Sequence, residues 1–165
     1  MHGPEGRHRR SIRLRGYDYA WMGMYFVTVC THLKLCLLGN VVNGRMVLSP
    51  TGEIVETGLI GLPERFPGLK IDSHVVMPNH VHVILAFRGS RSGEPPPKLG
   101  AIIRQWKAAS CHLIRTTVDP CFGWQRNYYE RILRDEDADR VRRYIAENPA
   151  QWDKDTENPN LPTRL

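Results

Sequence analysis

The chain has 165 residues, of which 41% are hydrophobic and 24% charged, a composition typical of one soluble globular domain. No run of about 18 apolar residues is present, and the basic start lacks the apolar segment of a secretory signal, so a cytoplasmic protein with no membrane span is expected. The formal net charge of +6 favours a polyanionic partner, most simply nucleic acid.

The first half of the chain predicts a strand, a hairpin and a helix. Residues 1–16 hold five arginines and are predicted to form a basic arm ahead of one domain over 17–152. The β-branched and aromatic stretch from Met24 to Thr31 predicts a strand, and Asn43-Gly44 predicts a tight hairpin turn. Ser49-Pro50 then has the pattern of a helix start, and Pro63 is expected to end that helix.

The second half predicts a second hairpin followed by two helices. Lys70 to Phe87 is interpreted as two strands joined by a turn around Met77-Pro78-Asn79, and a loop follows over 88–97. Apolar residues at helical spacing from Leu99 to Ile114 predict an amphipathic helix. A short strand over 127–133 and a helix from Asp135 to Asn148 follow, and residues 153–165 are expected to form a loose tail.

This order of elements indicates the fold class. Helices separated by pairs of strands suit an α+β sandwich with a mostly antiparallel sheet. The arrangement predicts a ferredoxin-like sandwich whose helices pack on the sheet.

The central chemical feature is His80-Val81-His82. Side chains alternate along a strand, so the two imidazoles share one face, about 7 Å apart along the backbone. Val81 and Val83 would face a core on the other side. Two neutral imidazoles on one face can bind a divalent metal, although two histidines on a solvated strand can also lack any function.

His74 is a conditional addition to this pair. If the turn at residues 77–79 closes a hairpin symmetrically, His74 lies opposite His82 and shares its face. It would then be a third ligand, a partner of a ligand or a packed polar residue, and a register shift of one residue would reverse the inference.

The last helix carries Tyr144 and Asn148, four residues apart and therefore on one face. A tyrosine aligned with an amide suggests a nucleophile beside a metal ligand, whereas a packed tyrosine near a helix end is the plainer alternative. Tyr128 and Tyr129 are rival nucleophiles without such a partner, and they are interpreted as structural or DNA-stacking residues.

Two stretches together resemble a known family. Val75 to Phe87 (VVMPNHVHVILAF) is similar to the HUH strand of single-tyrosine transposases, where U is an apolar residue. Trp124 to Trp152 resembles the C-terminal half of the insertion-sequence-200-like group, most closely the REP-associated tyrosine transposases, in which a tyrosine lies four residues before Asn-Pro. The segment from Arg9 to His32 extends the resemblance over most of the chain.

The resemblance implies roles for individual residues. His80 and His82 would bind the metal, Mg²⁺ or Mn²⁺, and Tyr144 would be the nucleophile that forms a 5′-phosphotyrosine link. Asn148 would take the place of a glutamine that completes the metal site in the transposase branch, and Lys107 would face DNA. The implied partner is single-stranded DNA that carries a hairpin, with both monomers and dimers known in the wider family.

Further basic and aromatic residues are candidates for DNA contact. Arginines could neutralise phosphates and aromatic rings could stack on bases. These candidates are Arg104, Lys107, Arg140, Arg142, Arg143, Trp124, Tyr128 and Tyr129.

Three other functions remain open from the sequence. A metal phosphodiesterase could use water, with Tyr144 structural. A ferredoxin-like module could bind single-stranded nucleic acid without catalysis, although such modules display aromatic residues on the sheet where this chain has histidines. A replication initiator or relaxase would share the chemistry, but the short chain without a helicase segment favours a transposase-like function.

Overall fold

The computed structural model describes residues 23–88 and 97–160. The predicted basic arm, most of the predicted loop over 88–97 and the last five residues of the predicted tail lie outside these described ranges. Among the described residues, no helix combines the length and the apolar character needed to cross a bilayer.

Six strands and four α-helices make up the described chain. In chain order they are β1 (Gly23–Cys30), β2 (Gly39–Val42), β3 (Arg45–Leu48), α1 (Pro50–Ile60), α2 (Leu62–Arg65), β4 (Leu69–Val76), β5 (His80–Phe87), α3 (Leu99–Thr117), β6 (Tyr129–Leu133) and α4 (Asp135–Glu147). Two short 3-10 helices, His32–Lys34 and Pro149–Lys154, complete the set.

The main sheet has four strands in the order β4-β5-β1-β6, and every neighbouring pair is antiparallel. With α1 joining β1 to β4 and α3 joining β5 to β6, this is the strand order of a ferredoxin-like fold. The predicted α+β sandwich with an antiparallel sheet is therefore confirmed.

The small hairpin of β2 and β3 forms at the predicted turn. Asn43 and Gly44 have φ values of +51° and +71°, the left-handed conformation that a two-residue type I′ turn requires. Ser49 caps α1 as predicted, because its hydroxyl accepts a hydrogen bond from the Gly52 amide at 3.1 Å. The hairpin and the capped helix start thus connect β1 to α1.

Pro63 does not end the first helix, which was the expectation. That helix ends at Ile60, and Pro63 lies in the first turn of α2. A proline is tolerated there because the first-turn N–H groups have no partner within the helix.

The sheet is covered on both faces. One face packs against α1 and α3 in the larger core, which includes Val27, Val83, Leu59, Ile103 and Trp106. The other face packs against α4 in a smaller core of Ile84, Leu133, Val141 and Ile145. Strand β5 is buried along its whole length because it is central and covered on both sides.

The end of the chain differs from the expected loose tail. Within residues 153–160, the side chains of Asp155 and Asn158 are buried, and the 3-10 helix Pro149–Lys154 leads the chain back towards the sheet. Hydrogen bonds from Asn79 and Lys34 to Glu157 fix this segment, so its polar composition did not make it loose.

Candidate metal and tyrosine site

His80 and His82 lie on the face of β5 that α4 covers. Val81 and Val83 point to the opposite face and belong to the larger core, as the alternation predicts. The Nε2 atoms of the two imidazoles are 3.1 Å apart, and the residues are 0% and 4% exposed. When two ligand nitrogens each lie about 2.1 Å from one ion and the nitrogen–ion–nitrogen angle is a right angle, the nitrogens are about 3 Å apart. The observed spacing therefore suits a cation shared by the two histidines.

Neighbouring side chains orient both imidazole rings by contacting Nδ1, the ring nitrogen that does not face the other histidine. Asn79 donates its amide hydrogens to the carbonyls of Lys34 and Glu157, which leaves its Oδ1 to accept from His80 Nδ1 at 2.9 Å. His82 Nδ1 lies 2.8 Å from the hydroxyl of Thr28, its cross-strand partner on β1. A histidine whose Nδ1–H is bound in this way presents the lone pair of Nε2 to a metal.

Burial keeps the two imidazoles neutral. It lowers the pKa of His80, although the charge of Asp155 opposes this shift. It lowers the pKa of His82 well below the usual value, and the neighbouring His80 adds to the effect. Both rings are therefore available as ligands at neutral pH.

Tyr144 lies beside this pair, as the resemblance implied. Its hydroxyl is 3.3 Å from His82 Nε2, and the residue is 46% exposed. Phe26 supports the ring by an edge contact with centroids 6.2 Å apart. Burial and then the charge of Asp155 raise the pKa of the hydroxyl, so Tyr144 is a weak nucleophile without a cation beside it.

Two buried oxygen atoms at the site accept no hydrogen bond from any residue that the structure describes. They are Oδ1 of Asn148, which is 3% exposed, and Oδ2 of Asp155, which is 9% exposed. One ligand atom each from His80, His82 and Asp155 lies within 4.8 Å of the others. Buried oxygens without partners are unfavourable unless a cation satisfies them, so the donor set fits a divalent metal.

Asp155 was not among the site residues predicted from the sequence. It lies 75 positions after His80, in a segment predicted to be loose, and no local motif indicates its role. The available signal was Trp152, a large residue just before it, whose ring centroid is 6.1 Å from that of His80.

His74 does not join the histidine pair. In the observed register His74 lies opposite Val83 and Val75 lies opposite His82, one residue away from the symmetric hairpin. The Met77 amide donates to the His80 carbonyl at 2.7 Å, and this turn sets the shift. His74 therefore faces α1, where its Nε2 is 3.2 Å from Glu56 Oε1.

The two candidates on α3 are not brought to the site. Arg104 is exposed on a helix that packs on the opposite face of the sheet. Lys107 is half-buried and donates to the backbone carbonyls of Gln125 and Arg126, at 2.6 and 3.3 Å. Burial lowers the pKa of this ammonium, and its contacts give it a role in holding the loop before β6.

The aromatic candidates divide between the two faces of the sheet. Tyr129 lies opposite Thr28, on the face of the histidines, and is 43% exposed with its ring 6.3 Å from Phe26. Tyr128 and Trp124 pack against the larger core, and the Trp124 indole donates to Ser110. Only Tyr129 of these three combines exposure with a position near Tyr144.

The arginines of α4 differ in their partners. Arg142 holds Asp72 through two hydrogen bonds of 2.7 and 2.9 Å, so its charge is already paired. Arg140 is paired with Asp137 at 2.6 Å. Arg143 is exposed one residue before Tyr144, and within the described residues no ion pair involves it.

A groove between α1 and α3 lies away from this chemistry. Trp106, Ile54 and Leu113 contribute to its lining, and it is on the face of the sheet opposite the histidines. The buried histidine site therefore remains the candidate centre.

Comparison with known proteins gives a relative in sequence and several neighbours in structure. An uncharacterized protein of Haemophilus influenzae is 38% identical over 165 aligned positions, which cover 90% of this chain and 92% of that protein. No family model matches the chain.

A solved structure of a REP-associated tyrosine transposase bound to a REP hairpin superposes with a TM-score of 0.61 at 21% identity, covering 86% of this chain and 74% of that one. A Deinococcus radiodurans R1 protein assigned provisionally as a transposase has a TM-score of 0.53 at 16% identity, covering 81% and 95%. The chain therefore belongs to one family with the Haemophilus influenzae protein, and its fold is that of the HUH tyrosine transposases.

Proposed function

We propose that the chain is a metal-dependent enzyme that cleaves and rejoins single-stranded DNA, in transposition or in the processing of hairpin repeat elements. One observation carries this proposal. The Tyr144 hydroxyl lies 3.3 Å from His82 Nε2, at a buried centre where Asn148 Oδ1 has no hydrogen-bond partner in the described part of the chain. A nucleophile beside a site for a cation is what tyrosine transesterification requires.

The cation would be held by His80 and His82 through Nε2 and by Asn148 through Oδ1. The family resemblance implies Mg²⁺ or Mn²⁺, and the amide oxygen suits these ions, while the two imidazole nitrogens would also suit Zn²⁺. When bound, the ion would supply positive charge that stabilises the attacked phosphate and its leaving oxygen.

Tyr144 performs the covalent step. Its oxygen forms a bond to the scissile phosphorus, and the bond between that phosphorus and the 3′ oxygen breaks. The tyrosine loses one proton and the leaving 3′ oxygen gains one, so the products are a 5′-phosphotyrosine and a free 3′-hydroxyl. Attack by another 3′-hydroxyl reverses the step, and no nucleotide cofactor is consumed because the phosphodiester energy is retained.

The substrate is single-stranded DNA that carries a hairpin. The net charge of +6 supports a nucleic-acid partner, and the transposase of the same fold was solved with a REP hairpin. Next to Tyr144, Arg143 would contact a phosphate and Tyr129 would stack on a base. Arg104, Lys107, Arg140 and Tyr128 would contribute to binding further from the centre.

The test is covalent trapping. The full chain is incubated with Mn²⁺ and a labelled library of single-stranded hairpins, and SDS-resistant protein–DNA adducts are counted. Tyr144→Phe and the double variant His80→Ala/His82→Ala should both abolish the adduct, whereas Tyr129→Phe should retain it.

Other outcomes separate the competing functions. Strand cleavage that persists in Tyr144→Phe without an adduct would replace the proposal with a water-using phosphodiesterase. Binding without cleavage by the wild-type protein, on a library that includes its hairpin, would leave a binding module.

A further inference from the structure

We propose that Asp155 is a fourth protein ligand of the cation, delivered by a strap formed by residues 149–160. The inference rests on the metal site of the proposed function and extends it to the C-terminal segment, which carries no recognisable motif. The strap begins where α4 ends at Glu147 and Asn148, and its 3-10 helix turns the chain back over His80.

The carboxylate of Asp155 is oriented by its own turn. Oδ1 accepts a hydrogen bond from the Glu157 amide at 2.8 Å, which leaves Oδ2 for another partner. Oδ2 is buried and lies 3.8 Å from His80 Nε2, and over residues 23–88 and 97–160 it has no hydrogen-bond partner. That distance is too long for a hydrogen bond, but it suits two ligands of one ion.

Two anchors hold the strap against the end of the sheet. The Glu157 carboxylate pairs with Lys34 at 2.6 Å, and the Glu157 carbonyl accepts from Asn79 Nδ2 at 2.7 Å. The same Asn79 side chain orients His80 through its Oδ1. One buried amide therefore fixes a histidine ligand and the segment that carries the carboxylate.

The completed donor set has two imidazole nitrogens, one amide oxygen and one carboxylate oxygen. The carboxylate adds a negative charge where Asn148 offers only a dipole, so it should dominate the electrostatic part of cation affinity. Glu157 and Lys34 do not contact the ion and act as positioning residues.

The experiment is Mn²⁺ binding to the full chain, followed by the electron paramagnetic resonance signal of free Mn²⁺. Asp155→Asn should weaken binding tenfold or more. Asp153→Asn is the matched control, because it removes the same charge from an exposed residue two positions away, and it should bind within twofold of wild type. Glu157→Gln should weaken binding by a smaller factor, because it loosens the strap and leaves every ligand in place.

A measurement of the water bound to Mn²⁺ distinguishes direct ligation by Asp155 from a long-range effect of its charge. If Asp155 is a ligand, Asp155→Ala frees a coordination position for water, and the water-proton relaxivity per bound Mn²⁺ rises. Equal affinity of Asp155→Asn and wild type, or unchanged relaxivity in Asp155→Ala, would overturn the role of Asp155 alone. A wild-type chain that binds no Mn²⁺ would overturn the metal site of the proposed function as well.

Discussion

At the scale of single residues, burial acts in opposite directions on the two kinds of group at the site. It lowers the pKa of His80 and His82, which keeps their ring nitrogens free to bind a cation. It raises the pKa of Tyr144, which keeps the hydroxyl protonated. The histidines are thus suited to bind a metal, whereas the Tyr144 hydroxyl is a weak nucleophile until a cation adds positive charge beside it.

The histidine shifts predict a pH dependence of stability for the metal-free protein. An unfolded histidine has a pKa of about 6.5, and the folded values are lower, so below that pH the unfolded chain binds more protons. The unfolding free energy should therefore fall as pH decreases from 7 to 5, by up to about 1.4 kcal/mol per pH unit for each buried histidine. Urea unfolding in EDTA across this range measures the slope.

A substitution of His82 assigns that slope. His82→Gln should flatten it by about one histidine, because burial lowers the pKa of the His82 ring well below the usual value. A slope that is the same in wild type and His82→Gln would contradict the assignment.

At the scale of elements, α4 is the part of the fold that brings Tyr144 to the histidines. Val141 and Ile145 pack into the smaller core, while the Tyr144 hydroxyl lies 3.3 Å from His82 Nε2. A β-bulge between Ile71 and Ser73 leaves Asp72 outside the ladder, and Arg142 binds it through two hydrogen bonds. This contact fixes the helix against the edge strand β4.

We expect the contact between Arg142 and Asp72 to position Tyr144. Arg142→Lys keeps the charge but cannot make the two-pronged contact, so amide exchange over residues 141–147 should become several-fold faster. Adduct formation should slow by about tenfold, because small displacements of a nucleophile are costly. Hydrogen exchange and single-turnover trapping measure the two effects.

Arg134→Lys is the control for this prediction. The Arg134 side chain is exposed at the start of α4 and its ion pair with Glu136 is local, so its replacement should change neither readout. If Arg142→Lys also leaves both unchanged, the contact is not a positioning device.

Sequence patterns located the elements well because their signals are local. Asn43-Gly44, Ser49-Pro50 and Pro149 act through the conformations of neighbouring residues, and each marks an element boundary in the structure. The register of β4 on β5 could not be predicted, because the hydrogen bond from Met77 to His80 decides it and no residue type encodes that bond. The observed register differs by one residue from the symmetric hairpin, so the condition that would have placed His74 beside His82 is not met.

The site was partly predictable for the same reason. His80 with His82, and Tyr144 with Asn148, are each close in sequence, so strand and helix periodicity placed them on shared faces. Asp155 reaches the site because its neighbour Glu157 contacts Lys34 and Asn79, which are distant along the chain. Such tertiary contacts leave no periodic signal.

At the scale of the whole molecule, the sheet separates a large core from a small one that supports the site. The large core includes Trp106, which donates its indole hydrogen to the Val55 carbonyl. The small core lies directly below α4 and includes Ile84, which is fully buried on the histidine strand. Packing in the small core therefore links stability to the position of Tyr144.

Ile84→Ala should lower the free energy of unfolding by about 2–5 kcal/mol, the range for buried aliphatic truncations. Leu113→Ala should change it by no more than about 0.5 kcal/mol, because Leu113 is 47% exposed although its helical spacing suggested a core position. Denaturant unfolding measures both. Equal effects of the two substitutions would contradict the described division of core and surface.

The most direct test of the central claim is to locate the covalent bond. The trapped protein–DNA adduct is digested with nuclease and protease, and mass spectrometry identifies the peptide that carries the residual nucleotide. The account predicts a phosphonucleotide on Tyr144 and a free 3′-hydroxyl on the released strand. A nucleotide on Tyr128 or Tyr129, or cleavage products with no modified tyrosine, would contradict it.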